Sequence, residues 1–149
     1  MLNTQVVRGP TTEQADPPPI NGVMAMLGIT GEWVGTCVLY CNEKLACRLS
    51  SLMLQSEVGE INNEVLDGVG ELANMVIGNL KDHLETAAGP LAMSIPTVVY
   101  GRNFQARTTG HRNWLIAPYQ MDGDSFEIRI CFAQKTATKR LREPAKTAP

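Results

Sequence analysis

Asp67, Glu71 and Asn74 are spaced four and then three residues apart, which puts two carboxylates and an amide within reach of one another on a helix. The chemistry open to such a set is water placement. An amide offers both a donor and an acceptor and can hold one water molecule in a fixed orientation, while a carboxylate one turn away can meet a cation. With about 100° of rotation per helical residue, Glu71 lies at roughly +40° from Asp67, Asn74 at roughly −20°, Gly78 at roughly +20° and Lys81 at roughly −40°. All of them share one face. Val65, Val69, Leu72, Val76 and Leu80 fall at roughly 140–220° on the same wheel and are the predicted buried side of an amphipathic helix.

Gly68, Gly70 and Gly78 stand inside this helix, where each costs on the order of 1 kcal/mol relative to Ala. Gly78 lies between Asn74 and Lys81 on the polar side, which implies that something approaches the backbone closely there. Gly70, Gly78 and Lys81 are therefore the expected partner-contacting positions. An isolated polar helix face is more often only a solvated surface. The glycines and the mid-helix amide, a poor helix former, are what set this one apart.

The residues resemble the active-site pattern of the CheX/CheC/FliY chemotaxis phosphatases: Asp or Ser, three residues, Glu, two residues, Asn, then 21 residues and Pro. Asp67, Glu71 and Asn74 match, and Pro96 in Ser94-Ile95-Pro96-Thr97-Val98-Val99 follows Asn74 after 21 intervening residues. The resemblance also takes in Gly28-Ile-Thr-Gly31, Gly78-Asn79-Leu-Lys81 and Pro96-Thr-Val-Val-Tyr-Gly101, and covers roughly residues 21 to 134. Ser56, Glu60 and Asn63 satisfy the first half of the pattern again, but the same gap from Asn63 ends at Glu85 and not at Pro. One complete copy is similar to CheX, where CheC carries two.

Length and composition bound the rest. A chain of 149 residues with 44% apolar content is expected to form one domain with a proper core. A net charge of −2 and a pI near 5.7 give no electrostatic footprint for nucleic acid or an anionic membrane. No apolar run reaches the roughly 18 residues of a membrane span, and the first residues lack the regions of a signal peptide, so the cytoplasm is the expected compartment. Cys37, Cys41, Cys47 and Cys131 lack paired zinc spacing, and His83 and His111 stand far from them in sequence, so no metal site is expected. Cys37 and Cys41 fall on one side of an apolar strand and read as buried, reduced thiols. The serines lack a flanking glycine elbow and a tied histidine, so no rival nucleophile stands out.

Along the chain, Pro10 and Pro17-Pro18-Pro19 make residues 1–20 an irregular lead-in, apart from a short strand over residues 4–8. Strands are predicted over residues 23–29 and 34–40 around a turn at Thr30-Gly31-Glu32, and a helix capped by Asn42 runs to about Gln55. The polar-faced helix follows from about Asn62 to Ala87. Strands return at 95–100, 113–121 and 125–134, the last two joined at Asp122-Gly123-Asp124, a strong hairpin signal. Residues 136–149, basic and proline-bearing, are predicted to be disordered. The sum is an α+β domain over residues 21–135: an antiparallel sheet with two consecutive long helices on one face.

The resemblance implies the same architecture. It also implies a helix ahead of the first strand, for which residues 1–20 offer no candidate. By the same resemblance, Asn74 enters the active site of a phosphorylated CheY-like receiver and orients water, Glu71 meets the receiver's lysine, and Asp67 and Pro96 support the site. The Mg²⁺ belongs to the receiver, no cofactor belongs to this chain, and a homodimer is expected. A second reading stays open from another class: a non-catalytic receiver-binding or flagellar-switch scaffold domain that uses the same helix face for docking.

Overall fold

The computed structural model describes residues 5–109 and 113–135. His111 and residues 136–149, for which expectations are given above, lie outside these. The described elements run β1 (Val6–Arg8), β2 (Thr12–Gln14), β3 (Ile20–Gly31), β4 (Trp33–Cys41), α1 (Glu43–Leu54), α2 (Asn63–Ala88), β5 (Leu91–Met93), β6 (Thr97–Phe104), β7 (Trp114–Met121) and β8 (Asp124–Gln134). The eight strands form one antiparallel sheet in the order β1-β7-β8-β4-β3-β5, with β2 also on β7 and β6 also on β3.

Local chemistry accounts for the boundaries. Asn42 and Asn62 each accept the amide hydrogen of the residue three positions on, Leu45 at 2.7 Å and Val65 at 2.9 Å, so both helices start where an Asx cap satisfies an orphan donor. The β7–β8 hairpin closes on Asp122 and Gly123, both at positive φ (48° and 84°), the backbone that a two-residue turn of primed type requires. The alternation of β3 and β4 splits their side chains between two layers. Val23, Ala25, Leu27, Ile29, Cys37, Leu39 and Cys41 face the helices, where Leu45, Leu49, Val65, Val69, Ala73 and Ile77 complete the main core. Met24, Val38, Ile116, Trp114 and Cys131 lie on the other face, covered by Phe104 and Ala106.

Three expectations change. Thr12–Gln14, within the expected irregular lead-in, is a strand that pairs with β7 beside Val6–Arg8, which itself falls within the short strand expected over residues 4–8. The strand predicted over 95–100 begins at Thr97, and a three-residue strand, β5, precedes it. The buried side of α2 is rotated by roughly 50° from the predicted one. Val65, Val69, Gly70, Ala73 and Ile77 are buried, while Leu72, Val76 and Leu80 are only half-buried. The rotation follows from small residues: Ala73 and the glycines let β6 and the sheet come close to that side, which larger side chains would hold off.

Candidate functional site: a polar stripe on α2

On α2, Asp67, Glu71 and Asn74 are exposed, as the wheel required. Glu71 and Asn74 sit one turn apart, with Cβ atoms roughly 5–6 Å from each other by helical geometry. Among the described residues, the side chain of none of the three makes a hydrogen bond or ion pair. A carboxylate and an amide held out on a rigid helix, with no internal partner, are free to engage a ligand from outside.

What fixes the helix here is the segment from β5 to β6, which runs along it. A Cβ placed on Gly70 would lie 3.1 Å from Val98 Cγ2 and 3.7 Å from Pro96 Cγ, and one on Gly78 would lie 3.7 Å from Met93 Cε. Pro96 therefore packs beside the first turn of the stripe. Ser94 locks the connection to the sheet: its Oγ accepts the Gly28 amide hydrogen at 2.8 Å and donates to the Ile95 carbonyl at 3.0 Å, and its own amide donates to the Gly28 carbonyl at 2.9 Å.

The same contacts revise two of the partner-contacting positions. Gly70 is buried, and the close approach it permits is that of Pro96 and Val98 of this chain. Lys81 is engaged internally, 2.6 Å from Glu85 and 3.1 Å from Asp82. The hydrogen bond to Glu85, then that to Asp82, holds the Lys81 ammonium above its ordinary range, and the same bond to Lys81, with the Leu91 amide, holds the Glu85 carboxyl below the usual one. Gly78 is half-buried between Met93 and the stripe.

Sequence reasoning passed over Ile95 and Met75. Ile95, counted above as the first residue of a strand, is 86% exposed outside it, and Met75 is 63% exposed beside Asn74. The signal available for Ile95 was its place just before Pro96, since a residue in that position is extended and held apart from helix or turn.

Nothing else among the described residues competes. A recess of about 480 Å³ lies on the sheet side of α2 against Trp33, Leu84, Leu91, Leu115, Ile130 and Phe132, and is mostly apolar. No group of three His, Cys, Asp or Glu is placed to hold a metal ion among the described residues. All four cysteines are buried and free, and burial pushes the Cys37 and Cys41 thiols up to about 12. No described helix is long and apolar enough to cross a membrane.

An antiparallel sheet bearing two helices on one face, with a single acid–amide stripe on the second helix, is a CheX/CheC-like architecture. The family model for "Chemotaxis phosphatase CheX" matches residues 23–120, and the chain belongs to that family. The CheY-P phosphatase CheX of Thermotoga maritima is 29% identical over 91 residues, 60% of this chain and 59% of that protein. This chain thus matches about three fifths of that curated relative's length. The crystal structure of CheX from Vibrio vulnificus superposes with a TM-score of 0.78 at 27% identity, covering 87% of this chain and 86% of that one. A CheX–CheY–BeF₃–Mg²⁺ complex from Borrelia burgdorferi shares the fold, with a TM-score of 0.72 at 20% identity over 90% of this chain and 86% of that one.

Proposed function

We propose that this chain is a phosphatase for the phosphoaspartate of a CheY-like receiver, with Asn74 orienting the attacking water and Glu71 meeting the receiver's active-site lysine. The observation that carries this reading is the exposed, unpartnered Glu71–Asn74 pair on a helix braced by Pro96. Membership of the CheX family supports it, as does the CheY-P phosphatase activity in the name of the Thermotoga maritima relative. The Borrelia burgdorferi complex, in which CheX is bound to CheY with BeF₃ and Mg²⁺, supports a receiver as the partner and is consistent with a Mg²⁺ that belongs to that receiver.

An acyl phosphate has a good leaving group, so placement of water and neutralisation of charge matter more than a strong base. The water oxygen bonds to phosphorus opposite the aspartyl oxygen. The phosphorus–oxygen bond to the aspartate breaks, its electron pair leaves with the receiver's carboxylate, and the water's proton ends on the released phosphate. Asn74 supplies one donor and one acceptor to fix that water. Glu71 supplies a carboxylate to the receiver's ammonium, Pro96 braces the helix at Gly70, and Asp67 shapes the polar border of the site. No cofactor of this chain enters the reaction.

The deciding experiment is loss of phosphate from a panel of phosphorylated receivers, with wild-type protein and with Asn74→Ala. Accelerated loss that disappears in a well-folded Asn74→Ala protein is expected. Tight binding of a receiver without acceleration would favour the scaffold reading. A homodimer joined through the sheets, one receiver per subunit, belongs to the same proposal, and light scattering at micromolar concentration tests it.

A further inference from the structure

Ile95 is the most exposed large apolar side chain among the described residues, 86% exposed, and its backbone has no freedom to tuck it away. Ser94 is tied to Gly28 on one side of it, and Pro96 is packed beside Gly70 on the other. The contacts that fix this segment also fix its place. Met93 lies at Gly78 and Pro96 at Gly70, so the segment that carries Ile95 runs beside α2 between those two positions, which bracket Glu71 and Asn74 in the helix. On the helix, Met75 stands next to the amide and is 63% exposed. Two exposed apolar side chains thus belong to the segments around Asn74: Met75 next to it on the helix, and Ile95 on the strand connection that runs beside the helix.

We propose that Ile95, with Met75 as the lesser member, is the apolar contact that docks the receiver around the Glu71–Asn74 pair. This rests on the receiver-phosphatase reading and extends it to how the partner is held. A protein that delivers a phosphoaspartate to the Asn74 amide must bring its surface against the segments beside that amide, and Ile95 and Met75 are the exposed apolar side chains those segments carry. An apolar contact beside the amide also excludes water there, which strengthens the neighbouring polar contacts. The fixed backbone at Ile95 lowers the ordering cost of docking. The matching partner surface is an apolar patch beside the phosphorylated pocket of the receiver.

The test compares wild type with Ile95→Ser, Ile95→Leu and, as a distant control, Leu52→Ser, at a side chain 44% exposed on the end of α1. Steady-state dephosphorylation gives KM and kcat, and titration with a beryllofluoride–Mg²⁺ receiver gives Kd without turnover. Ile95→Ser is expected to raise KM and Kd by about tenfold with kcat retained at saturation, the size of effect a central apolar contact carries. Ile95→Leu should restore most of it, and Leu52→Ser should change neither. Unchanged Kd in Ile95→Ser overturns the proposal. So does a change in the mass of the free protein by light scattering with no change in Kd, which would assign Ile95 to contact between copies. A receiver that binds but keeps its phosphate ends the catalytic reading, and the Kd of the variants still judges Ile95.

Discussion

Arg48 on α1 and Glu71 on α2 both belong to polar clusters on the same pair of helices, and the two clusters are built in opposite ways. Arg48 is paired with Asp122 and lies 3.4 Å from Asp124, with Lys44 3.7 Å from the same Asp124 carboxylate. Asp124 is only 8% exposed. Each charge there finds its opposite inside the chain, and the effect is to fasten α1 to the β7–β8 hairpin. Along α2, the Asp67, Glu71 and Asn74 side chains find no such partner among the described residues. Polar groups that satisfy one another hold a fold together. Polar groups that a rigid fold leaves unsatisfied at its surface are available for chemistry with another molecule.

If that contrast is right, substitutions should separate activity from stability. Asn74→Ala should have the largest effect, a loss of at least about a hundredfold in dephosphorylation rate, because a displaced water forfeits its alignment, with an unchanged melting temperature. Glu71→Lys comes next: a loss of about tenfold or more in kcat/KM, with an altered salt dependence of association, read by repeating the assay across ionic strength. Normal turnover by Glu71→Lys would remove the stripe as the contact face. Arg48→Ala should do the reverse, lowering stability in urea unfolding by about 1–2 kcal/mol while leaving kcat untouched, since it takes from the nearly buried Asp124 the closer of its two cationic partners and leaves only the exposed Lys44. A loss of activity without a loss of stability there would erase the distinction between the clusters. The smallest effect is expected from Lys81→Met. Its ammonium is taken up by Glu85 and Asp82, so KM should stay as it is, and a clear rise would return Lys81 to the partner-contacting face.

Much of this arrangement was legible in the residues because it is locally encoded. The Asn42 and Asn62 caps, the Asp122-Gly123 turn and the register of the polar stripe each depend on side chains within a few positions of one another. What was not legible depends on distant strands. β2 and β5 are three residues each, too short to show alternation, and exist because β7 and β3 offer them edges. The true rotation of α2 is set by Pro96 and Val98 settling against Gly70, which no helical wheel contains. Gly70 illustrates the misreading. Its lack of a side chain does mark a close approach, but the approaching group is the chain's own β6.

The glycines of α2 carry one more consequence, for folding. Three of them in a helix of 26 residues oppose helix formation by roughly 3 kcal/mol in total relative to Ala, more than local propensity would supply in an isolated segment. A synthetic peptide spanning α2 should therefore be mostly random coil. The acid–amide stripe comes into being only when residues far apart in the chain have closed on one another, as Ser94 does with Gly28 across 66 positions. Nascent or half-unfolded molecules would display no competing decoy of the stripe, and its appearance would be as cooperative as the folding of the domain itself.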